Sequence, residues 1–359
     1  MEQHAERKLH GNEQIPPKEL LCPGDNTKQK SNKPDLPGSQ LLPNTSESDA
    51  TLLQSIISGD QDEISTPTAT NVGIEELKKS MKKTRKNNLT IFSANANSIK
   101  NKMDSLKFNI DLLNLHVIII QETKLKTKSI TIDGYRCFAT VRGDCGGGIL
   151  IACKSTLNPV LVFEGTSECE VLVVQFKINE HCNIRIIAGY GAQECAPPVV
   201  RESYRNSIEE QVARAYLAGC SVIVAEDANA KLGPEFISGD PHPMSENGQL
   251  LASMVERQDL QIVNSSTKCS GGPITRQRLV DGKLEYSCID FILVSKDLDN
   301  QLKEAIIDKD QLYALTKFSS TKGNPCIKTS DHFSLIAKFE VEVKEIKQRR
   351  EEFLQTSRR

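Results

Sequence analysis

The sequence predicts an α/β protein in which two β-sheets pack face to face and helices cover the outside. Three observations carry this. Short apolar, β-rich segments recur from Leu89 to Val343, split by Gly, Asn and charged turns. A few longer segments repeat apolar residues at three- and four-residue steps and read as amphipathic helices. The consecutive strand segments between residues 135 and 190 have no helix between them. That argues against a purely doubly wound parallel sheet.

Taken in order, residues 1–86 are rich in Pro, Ser, Asn, Gln, Lys and Asp, with one short apolar patch near Leu52. This composition predicts a disordered polar region. It ends in the basic stretch KKSMKKTRK, Lys78–Lys86, which suits a solvated linker, a phosphate-contacting arm or a nuclear-import signal. The folded domain is expected over residues 87–341. LTIFSA begins it as a buried strand, followed by a helix with Ile99, Met103, Leu106, Ile110 and Leu113 on one face. HVIIIQ, YRCFATV, GGILIAC, PVLVFE, ECEVLVVQFKI and IRIIAGY are strands. A second helix begins near Arg201 and presents Tyr204, Ile208, Val212 and Tyr216. SVIVAED is a strand and NGQLLASMVERQ a helix; QIVNS, SCIDFILVS and HFSLIAKFEVEV complete the strands. Residues 342–359 read as a charged helix or linker.

Gross composition removes several classes. No apolar run is long enough to span a membrane, and the polar N-terminus lacks a signal core, so a nuclear or cytoplasmic monomer is expected. The 11 cysteines are scattered singly, which argues against a disulfide framework or a zinc ribbon. A net charge of −2 does not mark a general polyanion binder, so any nucleic-acid contact must be a local basic surface.

The chemistry lies at strand ends. Asn95 and Asn97 follow the first strand, Gln121 and Glu122 the second, and Tyr190 ends IRIIAGY. Asp227 and Asn229 end SVIVAED, Asp290 lies in SCIDFILVS, and Ser330, Asp331 and His332 open the last strand. A carboxylate such as Glu122 suits Mg²⁺ or Mn²⁺, hard ions that prefer oxygen, and Asn97 can add an amide oxygen. Asp227 and Asn229 are two residues apart and point the same way in extended chain. One can take a proton from water while the other donates to a phosphoryl oxygen. Asp290 can orient the His332 imidazole. Each element alone also suits a turn or an exposed strand end; the set in this order carries the reading.

The series N-x-N, QET, Y, D-x-N, ID, SDH over residues 89–341 resembles the exonuclease–endonuclease–phosphatase superfamily, the DNase I-like fold. NANSIKNKMDSL, IIIQETKL, RGDCGGGILIACKS, AEDANAKLG and SCIDFILVS look most like the apurinic/apyrimidinic-endonuclease-like domain of non-LTR retrotransposons. Tyr190 stands where phosphatase and deadenylase branches usually carry His. The resemblance implies a four-layered α/β sandwich and a metal-dependent DNA endonuclease that nicks duplex to leave a 3′-hydroxyl and a 5′-phosphate. It implies that Asn97 and Glu122 hold the metal with Asp331 nearby, and that Asn95 and Ser330 support them. Asp227 would activate water, Asn229 hold the phosphate, Tyr190 assist the leaving oxygen, and His332, held by Asp290, stabilise the phosphorane. A reverse transcriptase in a longer polyprotein is the partner such a domain implies.

The chain departs from the family pattern at Glu226, where Gly is usual, at Ala228, where Phe is usual, and in the Gly191–Gln193 segment after Tyr190. Glu226 either raises the Asp227 pKa by repulsion or faces away. Lys100, Lys102, Lys124, Lys126 and Lys128 are candidate phosphate contacts, with Thr275, Arg276 and Arg278 of GGPITRQRLVDGK as candidate DNA-reading residues. Two other functions share the fold: a phosphatase or phosphodiesterase for lipid or nucleotide, and a catalytically silent nucleic-acid-binding remnant.

Overall fold

The structure is a computed structural model that describes residues 88–143, 146–179, 182–321, 324–341 and 343. The expected disordered region 1–86, its basic stretch Lys78–Lys86 and, Val343 apart, the segment 342–359 lie outside the described residues. The strands are β1 (Leu89–Asn95), β2 (Val117–Gln121), β3 (Tyr135–Ala139), β4 (Leu150–Lys154), β5 (Val160–Glu164), β6 (Glu170–Asn179), β7 (Cys182–Tyr190) and β8 (Cys220–Asp227). There follow β9 (Leu260–Ile262), β10 (Cys269–Ser270), β11 (Arg276–Val280), β12 (Lys283–Ser287), β13 (Asp290–Ser295), β14 (Leu302–Ile307), β15 (Lys317–Thr321), β16 (Asn324–Lys328) and β17 (Leu335–Phe339). The helices are α1 (Met103–Leu113), α2 (Pro198–Leu217), α3 (Glu246–Arg257) and the single turn α4 (Lys296–Asp299).

Seven strands form one sheet in the order β10-β14-β17-β1-β2-β4-β3, and six form the other, β5-β6-β7-β8-β13-β9. β11–β12 and β15–β16 are separate two-stranded ribbons. Period-two alternation divides each buried strand between two cores. Leu89, Ile91, Val117 and Ile119 of the first sheet meet Ile186, Ala188, Ile223, Ala225, Ile292 and Val294 of the second. Phe92, Ala94, Ile118 and Ile120 face the other way, toward Leu106 of α1. Val222, Val224, Phe291 and Leu293 pack on Tyr204, Ile208, Val212, Leu251 and Met254 of α2 and α3. The expected four layers are therefore helix, sheet, sheet, helices.

Helix starts follow local chemistry. Pro198 opens α2 at its first turn, where a missing N–H costs nothing. Ser245 caps α3 and its hydroxyl accepts the Gly248 N–H. Among the described residues no helix is long and apolar enough to cross a membrane.

Four expectations need correction. Ile99 is buried but precedes α1, because Asn101 turns left-handed (φ 61°) before the helix begins. The buried face of α2 continues from Val212 to Ala215 while Tyr216 is exposed, as a helical period of 3.6 rather than 4 requires. The last strand is shorter than HFSLIAKFEVEV, since His332 only forms an isolated bridge with Arg276. β14 and the β15–β16 ribbon are missing from the expected strands, because LKEAII sets two charges side by side in its first half and KFSST and NPCIK are largely polar. β14 also has a register shift between Leu302 and Glu304.

Candidate active site

Alternation places the polar strand ends on one side of each sheet. Ile91 of β1, Ala188 of β7, Ala225 of β8 and Ile292 of β13 face the seam between the sheets, so Asn95, Tyr190, Asp227 and Asp290, an even number of residues away, face it too. Register brings them level. Asp227 lies opposite Tyr190 on one side and Asp290 on the other. Asn95 pairs with Gln121 on the first sheet, one residue short of Glu122.

Hydrogen bonds then join the two sheets. The Asn95 amide donates to Asp227 Oδ2 at 2.8 Å and to Glu122 Oε1 at 3.2 Å. The Tyr190 hydroxyl donates to the same Glu122 oxygen at 2.7 Å. His332 Nδ1 lies 2.9 Å from Asp290 Oδ2 and 3.9 Å from Asp227 Oδ2. With a carboxylate as acceptor, Nδ1 carries the proton. Ser330 is buried, and its hydroxyl accepts the His332 N–H at 3.3 Å, which supports the turn. Asn229 sits at φ 46°, with its N–H on Asp227 Oδ1 at 3.2 Å and its side-chain amide on the Gly191 carbonyl at 2.9 Å.

Burial and neighbouring charge set the protonation states. Burial, together with the Asp290 charge, pushes the Asp227 carboxyl up to about 7. Burial alone would lower the His332 pKa, but Asp290 and Asp227 overturn that and raise it to about 9. Burial opposes ionisation of Glu122, yet hydrogen bonds from Tyr190, Asn95 and Lys124 hold its pKa below the usual value. Burial and the facing carboxylates push the Tyr190 phenol far up, so it remains a donor.

Potential metal ligands collect in two places. Asp227, Asp290 and His332 offer ligand atoms within 4.8 Å of one another. Their internal hydrogen bonds already engage His332 Nδ1, however, which suits an acid–base pair. The second place is all oxygen. Lys124 Nζ lies 2.7 Å from Asn97 Oδ1 and 3.1 Å from Glu122 Oε2, so a cation already stands between these two groups. An amide oxygen and a carboxylate held around an ammonium are donors that a hard divalent ion accepts. Asn97, Glu122 and Lys124 all have positive φ, at 41°, 47° and 50°, as does Asn229. Such backbone strain clusters at working sites. Asp331 faces Arg276 at 2.8 Å.

Several DNA-contact expectations are corrected. Thr275 is 0% exposed and cannot reach DNA. Its hydroxyl donates to Asp290 Oδ2 at 2.8 Å and accepts the Ile289 and Asp290 N–H groups, so it fixes the carboxylate that holds His332. Lys102 is buried with its ammonium on the Ala96 carbonyl. Burial lowers its pKa, and it braces the loop that carries Asn97. Lys124 belongs to the site itself. Arg276 is tied to Asp331; Arg278 is exposed but paired with Glu285 at 2.8 Å, and Lys100 is exposed. Arg276 and Arg278 line a groove of about 690 Å³ beside Asn229, together with Lys231, His242 and Tyr286.

Glu226 faces away from Asp227. It is buried on the helix side, 2.8 Å from the Arg205 guanidinium and 2.6 Å from the Tyr204 hydroxyl. Gly189 leaves room for that hydroxyl, since a Cβ there would lie 2.2 Å from it. Arg205→Met would leave Glu226 buried without its counter-ion and is expected to cost about 3–5 kcal/mol of folding stability. Urea denaturation measures this; a loss below about 1 kcal/mol would show that the pair is not structural.

This double sheet with polar residues from both halves at one end has the DNase I-like fold. No protein-family model matches the chain, and no curated protein sequence matches it. Solved structures do. The endonuclease domain of TRAS1, a telomere-specific non-LTR retrotransposon, is 20% identical with a TM-score of 0.52, covering 71% of this chain and 99% of its own. The AP endonuclease LMAP from Leishmania major is 13% identical with a TM-score of 0.56, covering 70% of this chain and 87% of its own. The 3′-5′ exonuclease NExo from Neisseria meningitidis is 16% identical with a TM-score of 0.54, covering 70% of this chain and 99% of its own.

Proposed function

We propose that this chain is a divalent-metal-dependent nuclease that hydrolyses phosphodiester bonds in DNA and nicks duplex to leave a 3′-hydroxyl and a 5′-phosphate. The observation that carries this is the unbroken chain of contacts Glu122–Asn95–Asp227 with the Asp290–His332 pair alongside. It offers a cation holder, a base and a cationic donor within one cleft. The similarity to nucleases of the same fold supports the reading, and a retroelement origin is proposed on the sequence resemblance, with the TRAS1 domain among the proteins of similar fold.

Asn97 and Glu122 would hold the ion. When bound, it would offset the negative charge that develops on the phosphate. Asp227, with a pKa close to neutral, accepts the proton of the attacking water. The Asn229 side-chain amide, which donates one hydrogen to the Gly191 carbonyl, would orient the phosphate with the other. His332, kept cationic by Asp290, directs its Nε2–H to a phosphoryl oxygen. Tyr190, whose hydroxyl donates to Glu122 Oε1 and stays protonated, would turn that same O–H to hydrogen-bond the leaving oxygen. Lys100 and Arg278 would grip flanking phosphates from the rim.

Incubation with supercoiled plasmid and Mg²⁺ is expected to yield nicked circles, and chelation should stop the reaction. Glu122→Ala should raise the half-saturating Mg²⁺ concentration at least about tenfold. Release of phosphate from an inositol phosphate without nicking would transfer the chain to the phosphatase class. DNA binding with no hydrolysis under any divalent ion would make it a binding module.

A further inference from the structure

We infer that Asn247, at the start of α3, is a positioning residue that sets Asn229 and couples the loop after Tyr190 to the loop after Asp227. The inference rests on the proposed nuclease reading. Asn247 is buried, and its side-chain amide donates to the Ala192 carbonyl at 2.8 Å and to the Asn229 carbonyl at 2.9 Å. One –NH₂ group thus spends both hydrogens on two different loops of the site. Ala192 follows Tyr190 by two residues, and Asn229 follows Asp227 by two.

The surrounding contacts fix the same loop. Ser245 N–H donates to the Lys231 carbonyl at 2.9 Å, and the Ser245 hydroxyl accepts the Lys231 N–H at 3.1 Å. Gly248 allows this close approach, because a Cβ there would lie 1.9 Å from the Lys231 carbonyl oxygen. The start of α3 therefore holds residues 229–231 by both backbone and side chain. Asn229 sits at a φ of 46°, a left-handed conformation that asparagine tolerates, and the Asn247 bond to its carbonyl selects that conformation over the extended one. The Asn229 side chain in turn spans to Gly191, so both ends of the connection lie within the cleft. Without the Asn247 amide, two half-buried carbonyls lose a donor, and Asn229 keeps only its bonds to Asp227 and Gly191 to hold its left-handed conformation.

A double-mutant cycle on the full chain tests this. Asn247→Ala is expected to lower kcat for plasmid nicking about 10- to 100-fold with KM within twofold, as misplacement of a phosphate-holding group would. In the Asn229→Ala background the same substitution should lower kcat by less than about threefold, because its target is already gone. Asn247→Asp, which keeps the shape but cannot donate, should reproduce the effect of alanine. Penalties that multiply in the cycle would overturn the inference while leaving the nuclease reading in place. A wild-type chain that cuts no DNA would overturn that reading and the inference with it. Failure of both Asn247 variants to fold would make the residue structural and also refute its positioning role.

Discussion

His332→Ala is expected to lower the nicking rate by about 10²–10³ at saturating Mg²⁺, the range seen when one donor to a developing oxyanion is lost. The imidazole is buried between Asp290 and Asp227, at 2.9 and 3.9 Å, and it is the cation nearest to both. Its removal also leaves two buried carboxylates facing each other without an intervening positive charge, so some stability should be lost with the activity. His332→Gln, which retains a donor, separates the two effects. A glutamine variant that is folded but as slow as the alanine one assigns the loss to the missing cation. Nicking by His332→Ala at more than a tenth of the wild-type rate would remove His332 from the reaction.

The second large effect concerns Asp227. Asp227→Asn keeps the shape and one acceptor for the Asn229 N–H but removes the base, and should slow nicking by about 10²–10⁴. The pH profile gives the sign. The base works when Asp227 is ionised, so the rate should rise through its raised pKa of about 7. The donor works when His332 is protonated, so the rate should fall through about 9. The wild-type curve is a bell between these limbs, and a divalent ion beside Glu122 would draw the acid limb lower. The residual rate of Asp227→Asn should have no acid limb. A limb that persists unchanged in that variant would assign it to another group.

Much of this site was legible because strand ends announce themselves. LTIFSAN, VIIIQ, IRIIAGY and SVIVAED each run apolar into a polar residue, SCIDFILVS sets Asp290 at the start of its apolar run, and period-two alternation fixes which side such a residue takes. The same rule shows why Glu226 and Asp227, adjacent in sequence, have opposite fates: one is neutralised by Arg205 beneath the helices, the other faces the seam between the sheets and meets Asn95. The contacts that sequence did not reveal join a side chain to a distant backbone. Thr275 reads as a residue of a basic ribbon, yet its hydroxyl fixes Asp290. Asn247 reads as the first turn of an amphipathic helix, yet its amide joins two loops. Neither leaves a periodic trace. Lys102 misleads in the same way, since a lysine in a polar loop gives no sign that its stem is buried.

The left-handed backbone at Asn97, Glu122, Lys124 and Asn229 also shapes how the centre can change over generations. Valine, isoleucine and threonine are the residues least able to sit there, whereas asparagine, aspartate and glycine enter with little steric cost. Drift at Asn97 is thus channelled toward residues that either keep an oxygen ligand or delete it outright. An exchange of Asn97 for aspartate asks little of the main chain. Descendants of this scaffold can retune the charge of their ion holder without rebuilding the loop that presents it.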